Sequence, residues 1–191
     1  MTAIVDYKAG NLTSVKYAFD ALSHETVVTS DPAAVEAADR VVFPGVGAAR
    51  SAMENLSRLG LAAAVRRAAQ SKPFLGICLG MQILFERTEE DGGIDCLGLV
   101  PGQVRRFPAC GGCKVPQIGW NDVAIDGRKP QYYYFVHSYY AELGEHTYGT
   151  TEYAGVRFTS IVKRGNIFAC QFHPEKSGKA GLELLKEWLG C

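Results

Sequence analysis

The sequence predicts an α/β protein: a mostly parallel central sheet flanked by helices, with an added antiparallel β portion in the C-terminal half. Three observations carry this. Up to Arg87, short apolar runs rich in branched residues alternate with segments of helical periodicity, the pattern of parallel strands joined by crossover helices. Glycine-bearing loops at Gly10, Gly45/Gly47 and Gly76/Gly80 follow such runs, where sheets of this kind bind ligands. Beyond Arg87 helical stretches become few, and short β-like runs separated by tight turns take over. No internal repeat, low-complexity tract or linker divides the chain, so residues 1–191 are expected to form one domain.

Residues 2–6 are the first strand. A loop follows, and Asn11 or Thr13 caps a helix reaching about residue 23, with Val15, Ala18, Phe19 and Leu22 on one face. Residues 26–29 are the second strand. Asp31-Pro32 opens a short helix, with the aspartate as cap and the proline at the first position. Residues 40–43 are the third strand, ended by Pro44-Gly45-Val46-Gly47, and a helix starts near Ala48. Residues 61–70 form an alanine-rich helix, and 73–78 the fourth strand. In the second half, 102–107, 122–125, 132–139, 148–152, 156–163 and 166–172 are β-like, read as antiparallel strands added to the sheet. Residues 178–189 close the chain as an amphipathic helix.

Composition excludes several classes. Basic and acidic residues number 20 each, so the formal net charge is zero. No basic excess suggests a nucleic-acid partner, and no basic amphipathic stretch suggests a membrane surface. The first residues lack a basic leader followed by an apolar block, and no apolar run is long enough to span a bilayer. A cytoplasmic location is expected. In that compartment the six cysteines (78, 96, 110, 113, 170 and 191) are read as thiols.

Phe74-Leu75-Gly76-Ile77-Cys78-Leu79-Gly80-Met81-Gln82 reads as strand, tight turn and helix start, with glycines two residues either side of the cysteine. This is the nucleophile elbow, with cysteine in place of serine. A nucleophile on such a turn points out of the sheet, and the glycines remove Cβ atoms that would clash. Free N–H groups of the following helix, beginning at Leu79, and its dipole favour a thiolate and can hold an oxyanion. A buried structural cysteine satisfies the same short pattern, so the elbow alone does not choose.

Phe172-His173-Pro174-Glu175 supplies the complement. Residues two apart on an extended chain project to one side, so His173 and Glu175 lie together. An imidazole that takes the thiol proton raises its reactivity, and a carboxylate on the other ring nitrogen fixes the tautomer. Most His-x-Glu pairs are ordinary surface residues; the order Cys…His…Glu around an elbow shifts this one towards a triad. Gln82 lies one turn beyond Cys78 on the same helix face.

The elbow and the His-Pro-Glu block together resemble the class I glutamine amidotransferases, which release ammonia from glutamine for a partner active site. Within them the chain is most similar to the glutaminase subunits of imidazole glycerol phosphate synthases, which act in histidine biosynthesis. The blocks starting at Asp6, Pro44, Pro116, Tyr133 and His173 match from end to end. The resemblance implies Cys78 as nucleophile, His173 as general base then acid, and Glu175 as its orienter. It implies an oxyanion hole of backbone N–H groups from Gly45, Val46 or Gly47 together with Leu79. It implies glutamine contacts at Gln82, Ser138 and Tyr139. It places Asn11, Trp120 and Lys176 near an interface with a (β/α)8-barrel cyclase subunit, as a heterodimer. That cyclase combines the ammonia with a phosphorylated ribulosyl-carboxamide nucleotide, giving imidazole glycerol phosphate and a carboxamide nucleotide of purine synthesis. Neither metal nor organic cofactor is needed.

Amidotransferase subunits for anthranilate or carbamoyl phosphate are the same-class rivals; Trp120-Asn121 and Lys176-Ser177 argue against them. A non-catalytic binding module that keeps an elbow cysteine is the rival of another class, disfavoured by the presence of both His173 and Glu175. Cys110-Gly-Gly-Cys113 departs from the resemblance and, lacking a second such pair, is read as a loop rather than a zinc site.

Overall fold

The computed structural model describes residues 1–109 and 111–190. Strands β1 (Thr2–Val5), β2 (Thr26–Thr29), β3 (Arg40–Gly45) and β4 (Phe74–Cys78) are joined by helices α1 (Leu12–Ala21), α2 (Pro32–Ala37), and α3 (Ala49–Arg58) with α4 (Leu61–Ser71). A single-turn helix, α5 (Leu79–Gln82), follows β4. Then come β5 (Arg87–Thr88), β6 (Ile94–Asp95), β7 (Gln103–Arg106), β8 (Gln117–Val123), β9 (Gln131–His137), β10 (Tyr139–Ala141), β11 (Thr147–Tyr153), β12 (Val156–Arg164), β13 (Ile167–Cys170) and α6 (Gly178–Leu189). Short 3-10 turns occupy Glu90–Gly92 and Pro174–Lys176.

The local signals account for these elements. The Asn11 side chain accepts from the Ser14 amide at 3.4 Å and starts α1, while Asp31 accepts from the Ala33 amide at 3.0 Å ahead of Pro32. Residues along β1, β3 and β4 alternate between two cores. Val5, Val41, Phe43 and Phe74 meet Val35, Leu56, Leu61 and Val65 of α2 to α4 on one face. Ile4, Val42, Leu75 and Ile77 meet Val15 and Phe19 of α1 and Leu185 and Trp188 of α6 on the other. Both faces are covered, which is why β1 and β4 read as continuous apolar runs.

The main sheet runs β2-β1-β3-β4-β13 with parallel pairing, then continues through β12, β10, β7, β5 and β6, with β11 on β12. The predicted fold class therefore holds, with three differences in detail. The run at 166–172 was expected among the antiparallel additions. As β13 it pairs parallel with β4 and antiparallel with β12, so it joins the two halves. The run at 122–125 belongs to a longer strand, β8, which pairs with β9 as a separate two-stranded ribbon. One face of that ribbon packs Val123, Tyr133 and Phe135 into the second core, the other exposes Ile118, Trp120 and Tyr132, and the Ala124–Thr150 bridge continues it towards β11. Lastly, the run at 132–139 divides at Ser138 into β9 and β10.

Cys78, Cys96 and Cys170 are free and buried, as expected of thiols, but Cys113 is disulfide-bonded. The expectation of thiols throughout therefore fails at Cys113. Cys110 and Cys191 lie outside the described residues.

Candidate active site

The elbow is built by close packing. A Cβ on Gly80 would stand 1.9 Å from the Phe43 carbonyl oxygen, and one on Gly76 would stand 3.0 Å from the Ala169 Cβ and the Leu84 Cδ1. One on Gly45 would stand 2.2 Å from the Tyr7 hydroxyl. Glycine at these positions lets β3, β4, β13 and α5 approach closely enough to bring Gly45 into register opposite Cys78. The strain falls on the cysteine itself, at φ 54° and ψ −113°. A non-glycine residue there costs about 1–3 kcal/mol, sustained only because the surroundings over-determine it. The helix beyond Cys78 is a single turn, so its dipole contributes less to an anion than the sequence suggests.

β13 ends beside β4 and delivers the next side chains to the same place. Cys78 and His173 line one cavity of about 310 Å³, with Val46, Gly47, Leu79, Gln82, Glu90, Pro116, Val136, Ser138, Tyr139 and Lys176. His173 Nδ1 lies 2.8 Å from Glu175 Oε1, and both side chains are almost wholly buried. Burial alone would lower the His173 pKa. The charge and hydrogen bonding of Cys78, followed by those of Glu175, outweigh it and raise the value to about 10. A larger cleft, about 450 Å³, lies between β13, β11 and α6, lined by Phe168, Tyr148 and Trp188. No cysteine, serine, threonine or histidine lines it, whereas the smaller cavity holds both Cys78 and His173.

The main-chain donors are differently disposed. The Val46 amide donates to the Ala9 carbonyl at 3.2 Å. Val46 and Gly47 therefore border the cavity, but the Val46 donor is engaged elsewhere in this conformation.

Gln82 is buried against a chain of amides. Its Nε2 donates to the Tyr139 carbonyl at 2.8 Å and to Gln171 Oε1 at 2.9 Å, and Gln171 Nε2 donates to Cys78 Sγ at 3.8 Å. The Tyr139 carbonyl also accepts from His137 Nδ1 at 2.7 Å, and His137 Nε2 meets the Gln117 amide at 2.9 Å. Burial pushes His137 down to about 4, so it is a neutral structural histidine.

Sequence reasoning missed three residues here: Glu90, Gln171 and His137. Glu90 is half-buried, one oxygen accepts from the Ala49 amide at 2.8 Å, and burial raises its pKa. Its signal was a polar Glu-Glu-Asp-Gly-Gly loop, which reads as solvent-facing. Asn11 serves as the α1 cap, Trp120 is 57% exposed on the ribbon, and Lys176 sits at the cavity. Among the described residues no group of three or more His, Cys, Asp or Glu is placed to hold a metal ion.

The cavity thus joins an elbow cysteine to a histidine–carboxylate pair delivered by β13. The sequence profile described as "Glutamine amidotransferase class-I" matches residues 3–189. The chain belongs to the class I glutamine amidotransferases. Among curated relatives, "Imidazole glycerol phosphate synthase subunit HisH" of Herpetosiphon aurantiacus is 48% identical, over 99% of this chain and 93% of that protein. The protein of the same name from Methanothermobacter thermautotrophicus is 46% identical, over 99% and 98%. A solved structure described as a glutamine amidotransferase superposes with a TM-score of 0.78 at 19% identity, covering 99% of each chain, which shows the shared fold.

Proposed function

We propose that Cys78, His173 and Glu175 form the hydrolytic machinery of a glutaminase; Cys78 sharing one cavity with a His173 that is paired to Glu175 supports the assignment. The chain is the glutamine amidotransferase subunit of imidazole glycerol phosphate synthase, in histidine biosynthesis. The Cys78 sulfur, as thiolate, attacks the side-chain amide carbon of glutamine. The imidazolium of His173 protonates the departing nitrogen, ammonia leaves, and a glutamyl thioester remains. His173, now neutral, takes a proton from water, hydroxide opens the thioester, and glutamate is released. Glu175 holds the imidazole orientation throughout.

The substrate's amino-acid end is read at the opposite side of the cavity. Both amide hydrogens of Gln82 are committed to Tyr139 and Gln171, so the oxygen of Gln82 is what remains to accept from substrate. Glu90 supplies the counter-charge for an α-ammonium group, and the Ser138–Tyr139 segment borders the α-carboxylate. The oxyanion is held by the Leu79 amide and by one from the Gly45–Gly47 segment.

The partner is a (β/α)8-barrel cyclase, bound as a heterodimer in the cytoplasm, with Asn11, Trp120 and Lys176 on the coupling side. Exposed Ile118, Trp120 and Tyr132 on the β8–β9 ribbon give that face the apolar character of an interface. No described helix is long and apolar enough to cross a membrane. The test is a glutaminase assay with and without the cyclase and its nucleotide. Glutamine-dependent activity should vanish in Cys78→Ala, while external ammonia still supports the cyclase. Retained glutamine hydrolysis in Cys78→Ala overturns the reading.

A further inference from the structure

We propose that Gln171 is a positioning residue of the glutaminase: it donates a hydrogen bond to the Cys78 sulfur and, with the same amide, fixes Gln82. The inference rests on the reading of Cys78 as nucleophile. Gln171 immediately follows β13 and is fully buried, its main-chain N–H donating to the Ser160 carbonyl at 2.9 Å. Its side chain links the sulfur to the residue that faces the substrate.

The direction of that link follows from chemistry. A main-chain carbonyl can only accept, so the Tyr139 oxygen must receive the Gln82 nitrogen. The second hydrogen of that nitrogen then meets Gln171, which must present its oxygen. With its oxygen so placed, Gln171 turns its nitrogen to Cys78 Sγ. Rotating any amide in the chain would set two acceptors or two donors face to face in a buried site, at a cost that holds the chain in one sense. The sulfur, 3.8 Å from the Val136 carbonyl on another side, thus receives a neutral N–H donor. A hydrogen bond to an anion is stronger than one to a neutral group, so this donor favours the attacking form of the sulfur over the resting thiol.

The test is alkylation of Cys78 by iodoacetamide across pH, alongside glutamine kinetics of the complex with the cyclase. Cys78→Ala serves as the blank: if it is alkylated as fast as the parent, the nucleophile assignment fails rather than this one. Gln171→Met keeps the volume and removes both arms. Its alkylation at pH 7 should slow about tenfold, with the profile displaced to the alkaline side. The KM for glutamine should rise as well, because Gln82 loses an anchor. Gln171→Glu keeps an acceptor for Gln82 but sets an acid beside the sulfur. It should slow alkylation at pH 7 at least as much while leaving KM within about twofold. Thermal melts establish that each variant is folded, and if Gln171→Met is not, Gln171→Glu decides alone. A folded variant that loses melting temperature yet follows the parental alkylation profile makes Gln171 a packing residue and overturns the proposal.

Discussion

The Val46 amide donates to the Ala9 carbonyl at 3.2 Å, which turns a main-chain donor away from the sulfur it borders. Gly45 and Gly47 flank it, and Gly47 already sits at φ 96°. A peptide rotation between two glycines is cheap, so the donor can be recovered. The isolated chain should therefore hydrolyse glutamine slowly. Adding the cyclase and its nucleotide should raise the rate by about a hundredfold, the order expected for one oxyanion donor. Equal rates with and without the loaded partner would count against the rotation.

The strained backbone at Cys78 has a separable cost. Cys78→Gly and Cys78→Ala both remove the sulfur, and both should be inactive with glutamine. They differ in the Cβ that occupies φ 54°. The glycine variant should melt above the alanine variant by several degrees, corresponding to about 1–2 kcal/mol. A differential scan of the two checks this.

At Gly80 the added Cβ meets a backbone oxygen at 1.9 Å, with no flexible side chain to yield. Gly80→Ala should cost about 3 kcal/mol or more and displace the elbow. Gly144, with open space around its Cβ position and no positive φ, is the control, and Gly144→Ala should change stability by less than about 0.5 kcal/mol. Denaturant midpoints for both distinguish tight packing from a generic glycine effect.

His173 has a folded-state pKa raised to about 10, against an ordinary value of 6.5. The proton it holds in the native state therefore adds stability that is complete below about pH 6.5 and lost as pH rises towards 10. The stability gap between the parent and His173→Asn should narrow over that window. Glu175→Gln removes a carboxylate that raises the value, so the alkaline limit of glutaminase activity should move to lower pH. A pH–rate profile with an unmoved alkaline limb would remove Glu175 from that role.

Much of the fold was legible because the first half and the last helix follow period rules closely: β1, α1, β4 and α6 lie within one or two residues of their sequence boundaries, and α2 starts at the expected proline. The elbow and the His-x-Glu pair were legible because their spacing is short and their chemistry local. Gln171 was not. It reads as one polar residue in an apolar run, and it reaches Cys78 only because β13 pairs parallel with β4, a long-range fact. Glu90 was hidden for a similar reason, since its polar loop folds back onto the start of α3. A lone tryptophan reads as core, whereas Trp120 stands outward on a ribbon whose existence depends on the β8–β9 pairing.

β13 is bonded to β4 on one side and to β12 on the other, and the histidine follows three residues after its end. Sliding that strand by two positions would keep every apolar side chain on its own face, so burial alone resists the slip weakly. The same slip would carry the imidazole about 7 Å along the strand axis, out of reach of the sulfur. Turnover is thus a finer gauge of register at this seam than any measure of compactness, and a preparation can look fully folded while its two halves are mis-set by one repeat.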